Sequence, residues 1–170
     1  MVFHTSFVIK HIIIAEYNVI LVPMQISTSY YTSRLKNLTL SLVPPSTVLF
    51  VHLIRYQIRP DLPVLDVVAH FFGGFAIAWM GLILMKGLIA RREIPEETPH
   101  WFKDYCILGT VALAGVAWEF YEWGSDSVFG TVMQFTIPET MNDLLMDMLG
   151  GMLFLLIVHI LWMMHKNSKT

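Results

Sequence analysis

Between Asp104 and His165 the chain carries no lysine or arginine, and none occurs between Asp61 and Met85. Three long apolar runs fall within or overlap those stretches: residues 64–88 (helix A, with Lys86 near its end), 104–123 (helix B) and 141–164 (helix C). Each contains roughly 20 or more mainly apolar residues, enough to cross a hydrocarbon core of about 30 Å. Backbone polar groups in lipid must be satisfied within their own segment, so the runs are expected to be helical. Composition agrees, because 55% of the 170 residues are hydrophobic and only 14% are charged, where a soluble domain carries about 25%. The predicted fold is an all-α, polytopic membrane helical bundle. It has three transmembrane helices in a bundle spanning 61–170, plus one or two weak hydrophobic helices in a poorly defined region 1–60.

In that first region, residues 7–24 are apolar but interrupted by Lys10, His11 and Glu16. They lack the basic start and small-residue cleavage site of a secretory signal. They read as a weak span, a surface helix, or residues upstream of a true start at Met24. Residues 38–56 read as a fourth candidate span split by Pro44 and Pro45, with a short helix expected over 46–58 because proline suits the first helical position.

Basic residues orient the bundle. Arg91, Arg92 and Lys103 lie in the A–B connection, and Lys166 and Lys169 in the tail, whereas residues 124–140 contain no lysine or arginine. The positive-inside rule puts the A–B loop and the C-terminus in the cytoplasm. Trp101, Tyr105 and Trp162 then fall at the inner interface, and Tyr121 and Trp123 at the outer one. Arg55 and Arg59, on the outer side in this orientation, go against the rule. The expected location is the cytoplasmic (inner) membrane, with multiple passes.

Each span has one stripe mixing small and ionisable residues. In helix A it is Asp66, His70, Gly73, Ile77 and Gly81; in B, Ala112, Gly115, Glu119, Glu122 and Asp126; in C, Asp143, Asp147, Gly150 and Phe154. Steps of three and four put each set on one face. Small stripes let helices approach closely in lipid, and ionisable groups in spans face a bundle interior. With alternating topology the ionisable ends of all three stripes fall in the outer leaflet. The only basic group there within the spans is His70, so the carboxylates are expected to recruit a cation or hold protons.

Several features have simpler readings. Thr140 with Asp143 resembles a capping box, with Asp in place of the usual Glu or Gln, whereas Asp147 lies a turn too deep for that role. Asp66 is expected to pair with His70. Glu119, Glu122 and Asp126 are placed at a helix C-terminus, where negative charge is disfavoured, so they need another partner. Asp126 and Glu139 read as solvated helix-end residues, and His159 as an interhelix hydrogen-bonding residue far from the cluster. His4, His11, His52, His100 and His165 belong to no motif. Cys106 alone excludes an intramolecular disulfide, and the basic residues form no patch for nucleic acid.

Asp66-x-x-x-His70-Phe71-x-x-Gly74-Phe75, Glu119-x-x-Glu122-Trp123, Phe129-Gly130 and Glu139-Thr140-x-x-Asp143 occur in an order and spacing that resemble the YjdF-like family of bacterial inner-membrane proteins. The likeness to the VanZ-like family is looser. The resemblance covers the C-terminal two thirds and implies a multi-pass membrane protein in which His70, Glu119, Glu122 and Asp143 matter. It implies no reaction. Family members carry more hydrophobic helices ahead of the matched region, so this chain is expected to be truncated or to need a membrane partner.

The leading functional expectation is a divalent-metal site for hydrolysis or group transfer on a lipid-linked or cell-envelope substrate. His70, Glu119, Glu122, Asp143 and Asp147 are the candidate ligands, Glu119 and Glu122 the catalytic carboxylates and Asp66 an orienting partner. One histidine among carboxylates suits Mg, Mn, Zn or Fe. The alternatives are a proton or ion conductor acting as a homo-oligomer, and a non-catalytic scaffold whose polar cluster fixes helix packing. Membrane lipid is the expected surrounding partner.

Overall fold

The computed structural model describes residues 28–58, 63–134 and 136–168. The weak segment predicted over 7–24 lies outside the described residues. All regular structure among those described is helical: α1 (Thr28–Ile58), α2 (Pro63–Ala90), α3 (His100–Phe129) and α4 (Ile137–Asn167). The chain divides into two compact units, Met1–Leu35 and Lys36–Thr170. In the first, residues 28–35 are helical. In the second, α2, α3 and α4 pack on one another.

Two helical segments, Val64–Ala90 and Ile137–Asn167, are long and apolar enough to cross a membrane. α3 has the length but carries Lys103, Asp104, Glu119, Glu122 and Asp126. The apolar part of α1 is shorter, Leu38–Ile54. Burial is inverted relative to a water-soluble protein. Asp66, His70, Glu119, Glu122, Asp143 and Asp147 are buried, whereas Leu113, Phe120, Leu156 and Leu161 are exposed. This is the pattern expected of a bundle whose outer surface faces hydrocarbon.

The helix ends correct several sequence expectations. α1 runs unbroken through Pro44 and Pro45, where a split and a fresh helix start were expected. Proline at 44 cannot donate to the Leu40 carbonyl. The Trp79 indole N–H on α2 donates to that carbonyl instead, at 3.2 Å. α3 extends past Trp123 to Phe129 and closes on Gly130, whose left-handed backbone (φ 66°) suits a glycine cap. Only Asp126, of the three acids assigned to the end of this helix, therefore lies in its last turn. The macrodipole acts within that turn, so it does not oppose Glu119 and Glu122. α4 starts at Ile137, not at 141. Thr136 is its N-cap and accepts from the Glu139 N–H, with Pro138 in the first turn. Thr136 to Glu139 has the Ser/Thr-x-x-Glu spacing of a capping box. That excludes the cap role expected for Thr140 and Asp143, because Asp143 lies in the second turn and is buried.

α2 and α4 run parallel and touch most closely. A Cβ on Gly74 would overlap the Asp147 carbonyl, and one on Gly150 would overlap the Phe71 carbonyl. The contact stripe of α2 therefore passes through Gly74 and Ala78 rather than the expected Gly73 and Ile77. α3 runs antiparallel to both, with Gly81 against Ile107 and Gly151 against Val111. Ala78, Ile107, Val111, Phe154 and Leu155 form the apolar core, with the Phe75 ring edge-on to Phe154 at 5.1 Å. Beyond this core, toward the first turns of α2 and α4, the interior becomes polar.

Candidate functional site

The polar interior is built by the helix periodicity just described. His70 from α2, Glu119 from α3 and Asp143 from α4 each offer one ligand atom, and these atoms lie within 4.8 Å of one another. Two ligands on opposite sides of a small divalent ion stand roughly 4–5 Å apart, so the spacing suits a single ion. All three side chains are more than nine-tenths buried. His70 Nε2, Glu119 Oε1 and Asp143 Oδ1 have no hydrogen-bond partner among the described residues. Buried polar atoms in that state are rare in folded proteins, and a bound ion is one of the standard explanations.

The neighbours of these groups hold them in place. His70 Nδ1 lies 3.3 Å from Asp147 Oδ2. With Asp147 ionised and His70 neutral, Nδ1–H donates to Asp147 and the Nε2 lone pair is free for a ligand. Asp147 is thus arranged as the orienting partner of His70. Glu119 is positioned by Gln134, whose amide donates to Oε2 at 3.4 Å and to Thr140 Oγ1 at 3.0 Å. Gln134 is placed by the α3–α4 connection, which folds around Asp126. Thr131 Oγ1 and the N–H groups of Met133 and Gln134 donate to that carboxylate at 2.6, 2.8 and 2.9 Å. Partial burial works against the charged form of Asp126, but these three donors outweigh it and hold the carboxyl below the usual range. Asp126 was expected to be a solvated end residue; the structure makes it the organiser of this loop.

A second group adjoins the first. His52 of α1 has Nδ1 3.5 Å from Asp66 and Nε2 3.7 Å from Glu122, and its ring centroid lies 6.2 Å from that of His70. Glu122 accepts from the Trp118 indole N–H at 2.8 Å. The structure thus places Asp66 and Glu122 on His52, while His70, Glu119, Asp143 and Asp147 form the first group. His52 was not singled out in the sequence. Its signal was the spacing Ser41, Pro45, Val48 and His52, one helical face that becomes visible only if the helix continues through the two prolines. Gln134 and Trp118 gave no signal of their own. At the far end of the bundle, His159 Nε2 meets Asp104 Oδ2 at 2.9 Å, an interhelix contact as expected.

Five carboxyl groups and two imidazoles are therefore buried together. Among the described residues the carboxylates outnumber the positive groups even with both imidazoles charged, and no lysine or arginine of α2, α3 or α4 is among the buried residues. Such a cluster retains protons or binds a cation.

The family described as "Predicted membrane protein (DUF2238)" matches residues 8–166. The looser VanZ-like likeness gains no support from the comparisons. No curated protein and no solved structure matches the chain.

Proposed function

The chain belongs to the DUF2238 family of predicted membrane proteins, and from that premise we propose that it is a multi-pass inner-membrane protein with a buried divalent-metal site. The YjdF-like resemblance is compatible with this family. α3 crosses the bilayer beside α2 and α4, and its acids are tolerated because they face the bundle. The positive-inside distribution puts the α2–α3 loop and the C-terminus in the cytoplasm, and so puts the site in the outer leaflet.

The observation that carries the metal reading is the convergence of His70, Glu119 and Asp143 from three helices, each with a buried unpartnered atom. One imidazole and two carboxylates suit Zn, Mn or Fe, and Mg less well. Asp147 fixes the His70 ring, as carboxylates do for metal-bound histidines. Three protein ligands leave coordination positions for water and substrate, the arrangement of a catalytic rather than a structural site. A divalent ion held there would lower the pKa of a bound water, and His52, whose ring lies 6.2 Å from that of His70, with Glu122 beside it, would be the neighbouring proton acceptors. The resulting activity is hydrolysis or group transfer on a lipid-linked or cell-envelope substrate.

The ion-pathway alternative is less well supported. Ala78, Ile107, Val111 and Phe154 form an apolar layer between the site and the His159–Asp104 pair, and among the described residues no acid, histidine, lysine or arginine is part of that layer to relay a proton across it. The test is the metal content of purified protein against a His70→Ala/Glu119→Gln double variant. Metal in the wild type alone supports the site. A metal-free wild type, with assembly lost in the double variant, favours the scaffold instead.

A further inference from the structure

α1 is held off the other helices. One tie lies at His52, which meets Asp66 and Glu122; the other is the Trp79 indole on the Leu40 carbonyl. The stretch of α1 between these ties is about 18 Å long. Between them lies a cavity of about 480 Å³. On the α2–α3 side its wall includes Ala69, Gly73, Ala114 and Ala117. Small residues in membrane bundles usually let helices close on one another. Here α1 does not close, and their small size becomes empty volume.

The cavity has a polar end and an apolar end. His52, His70 and Asp147 line one end, and Leu42 and Met80 the other. Water has few partners along the apolar part, and an apolar cavity in a protein takes up apolar ligands in preference to water. The polarity gradient, the volume and a few convergent polar groups are those of a small-molecule site.

We propose that this cavity seats one hydrocarbon chain of a membrane lipid, with the lipid's polar head at His52, His70 and Asp147. The surroundings supply the occupant, because the outer faces of α3 and α4 are apolar and exposed. The chain enters beside α1, which meets α2 and α3 through His52 and through the Leu40 carbonyl. The head is delivered next to the unpartnered atoms of His70, Glu119 and Asp143. This deepens the metal reading by naming the substrate class. It rests on that reading for any chemistry at the head group, but the seating of the chain does not require the ion.

The test uses the full chain in vesicles of phosphatidylethanolamine and phosphatidylglycerol. The vesicles are doped with a phosphatidylglycerol bearing a photoactivatable diazirine near the end of one acyl chain. Irradiation is expected to label Leu42 and Met80. Ala114→Leu and Ala117→Leu fill the cavity, and labelling there is expected to be lost while labelling of outward-facing Leu156 persists. Two variants on different turns guard against one that fails to assemble. Label confined to Leu156 and its outward-facing neighbours, or cavity labelling unchanged in both variants, would overturn the proposal. Metal content is measured on the same samples. Cavity labelling without metal supports the lipid seat and removes the metal reading alone. Metal without cavity labelling removes the lipid seat alone.

Discussion

Gly73 and Gly74 are neighbours on α2 that face opposite circumstances. Gly74 meets α4, where a Cβ would overlap the Asp147 backbone. Gly73 and Gly74 both line the cavity, but a Cβ on Gly73 would meet Asp147 Oδ1 at 3.6 Å and Val48 Cγ1 at 4.0 Å, both ordinary contacts. The same residue type therefore does two jobs one position apart. On the α4 side, absence of a side chain brings backbones together and fixes His70 against Asp147. On the α1 side, it leaves room. A sequence stripe of small residues thus marks a face without saying whether the partner helix closes on it. The decision is made elsewhere, by the ties at His52 and Leu40.

Gly74→Ala and Gly150→Ala should have the largest effect. Both push a methyl into rigid backbone, and each is expected to lose about 3 kcal/mol of stability or to prevent assembly, as read by thermal unfolding in detergent. Equal tolerance of Gly74→Ala and Gly73→Ala would break the comparison. Trp79→Phe comes next. It strips the donor from the Leu40 carbonyl and should lower stability by about 1 kcal/mol. In a Pro44→Ala background the helix supplies its own donor, so the same change should be smaller. A double-mutant cycle with no coupling would show that the indole is not replacing the missing backbone bond.

Asp126→Ala should act on the site through its loop, releasing Gln134 from Glu119 and weakening metal binding more than it weakens the fold. Its pH dependence follows from the lowered carboxyl pKa. A carboxylate held below its unfolded value stabilises the native state above that value, about pH 4. That contribution is lost as pH falls through the lower folded value. The difference between wild type and Asp126→Ala should therefore be constant near neutrality and shrink in acid, as followed by unfolding at stepped pH. The smallest effect is expected for Gly73→Ala, within about 0.5 kcal/mol of wild type.

What the sequence disclosed about this molecule follows the same division. Helical periodicity identified Glu119, Asp143 and Asp147 on inward faces, because three- and four-residue steps are local geometry. It also put His70 at the same depth as Glu119 and Asp143. Helix ends differ from expectation, because the run of apolar residues marks the span but not its caps: helix B ends at Phe129 on Gly130 rather than at 123, and helix C starts at Ile137 on the Thr136 cap rather than at 141. That error made Asp143 look like a cap and placed Glu119 and Glu122 in an unfavourable last turn. His52 was missed because two prolines were read as a break. The Trp79 indole that bridges the break comes from another helix, and no local pattern announces it. The shift from Gly73 to Gly74 as the contact glycine likewise depends on how α2 and α4 cross.

His70, Glu119 and Asp143 are proposed to hold one divalent ion. Elemental analysis of the full chain, purified in detergent without chelator, tests it most directly when run beside the His70→Ala/Glu119→Gln variant. About one divalent ion per wild-type chain is expected, lost in the variant while the helical content is retained. A folded wild-type protein with no bound metal, or a variant that keeps the full complement, would contradict it.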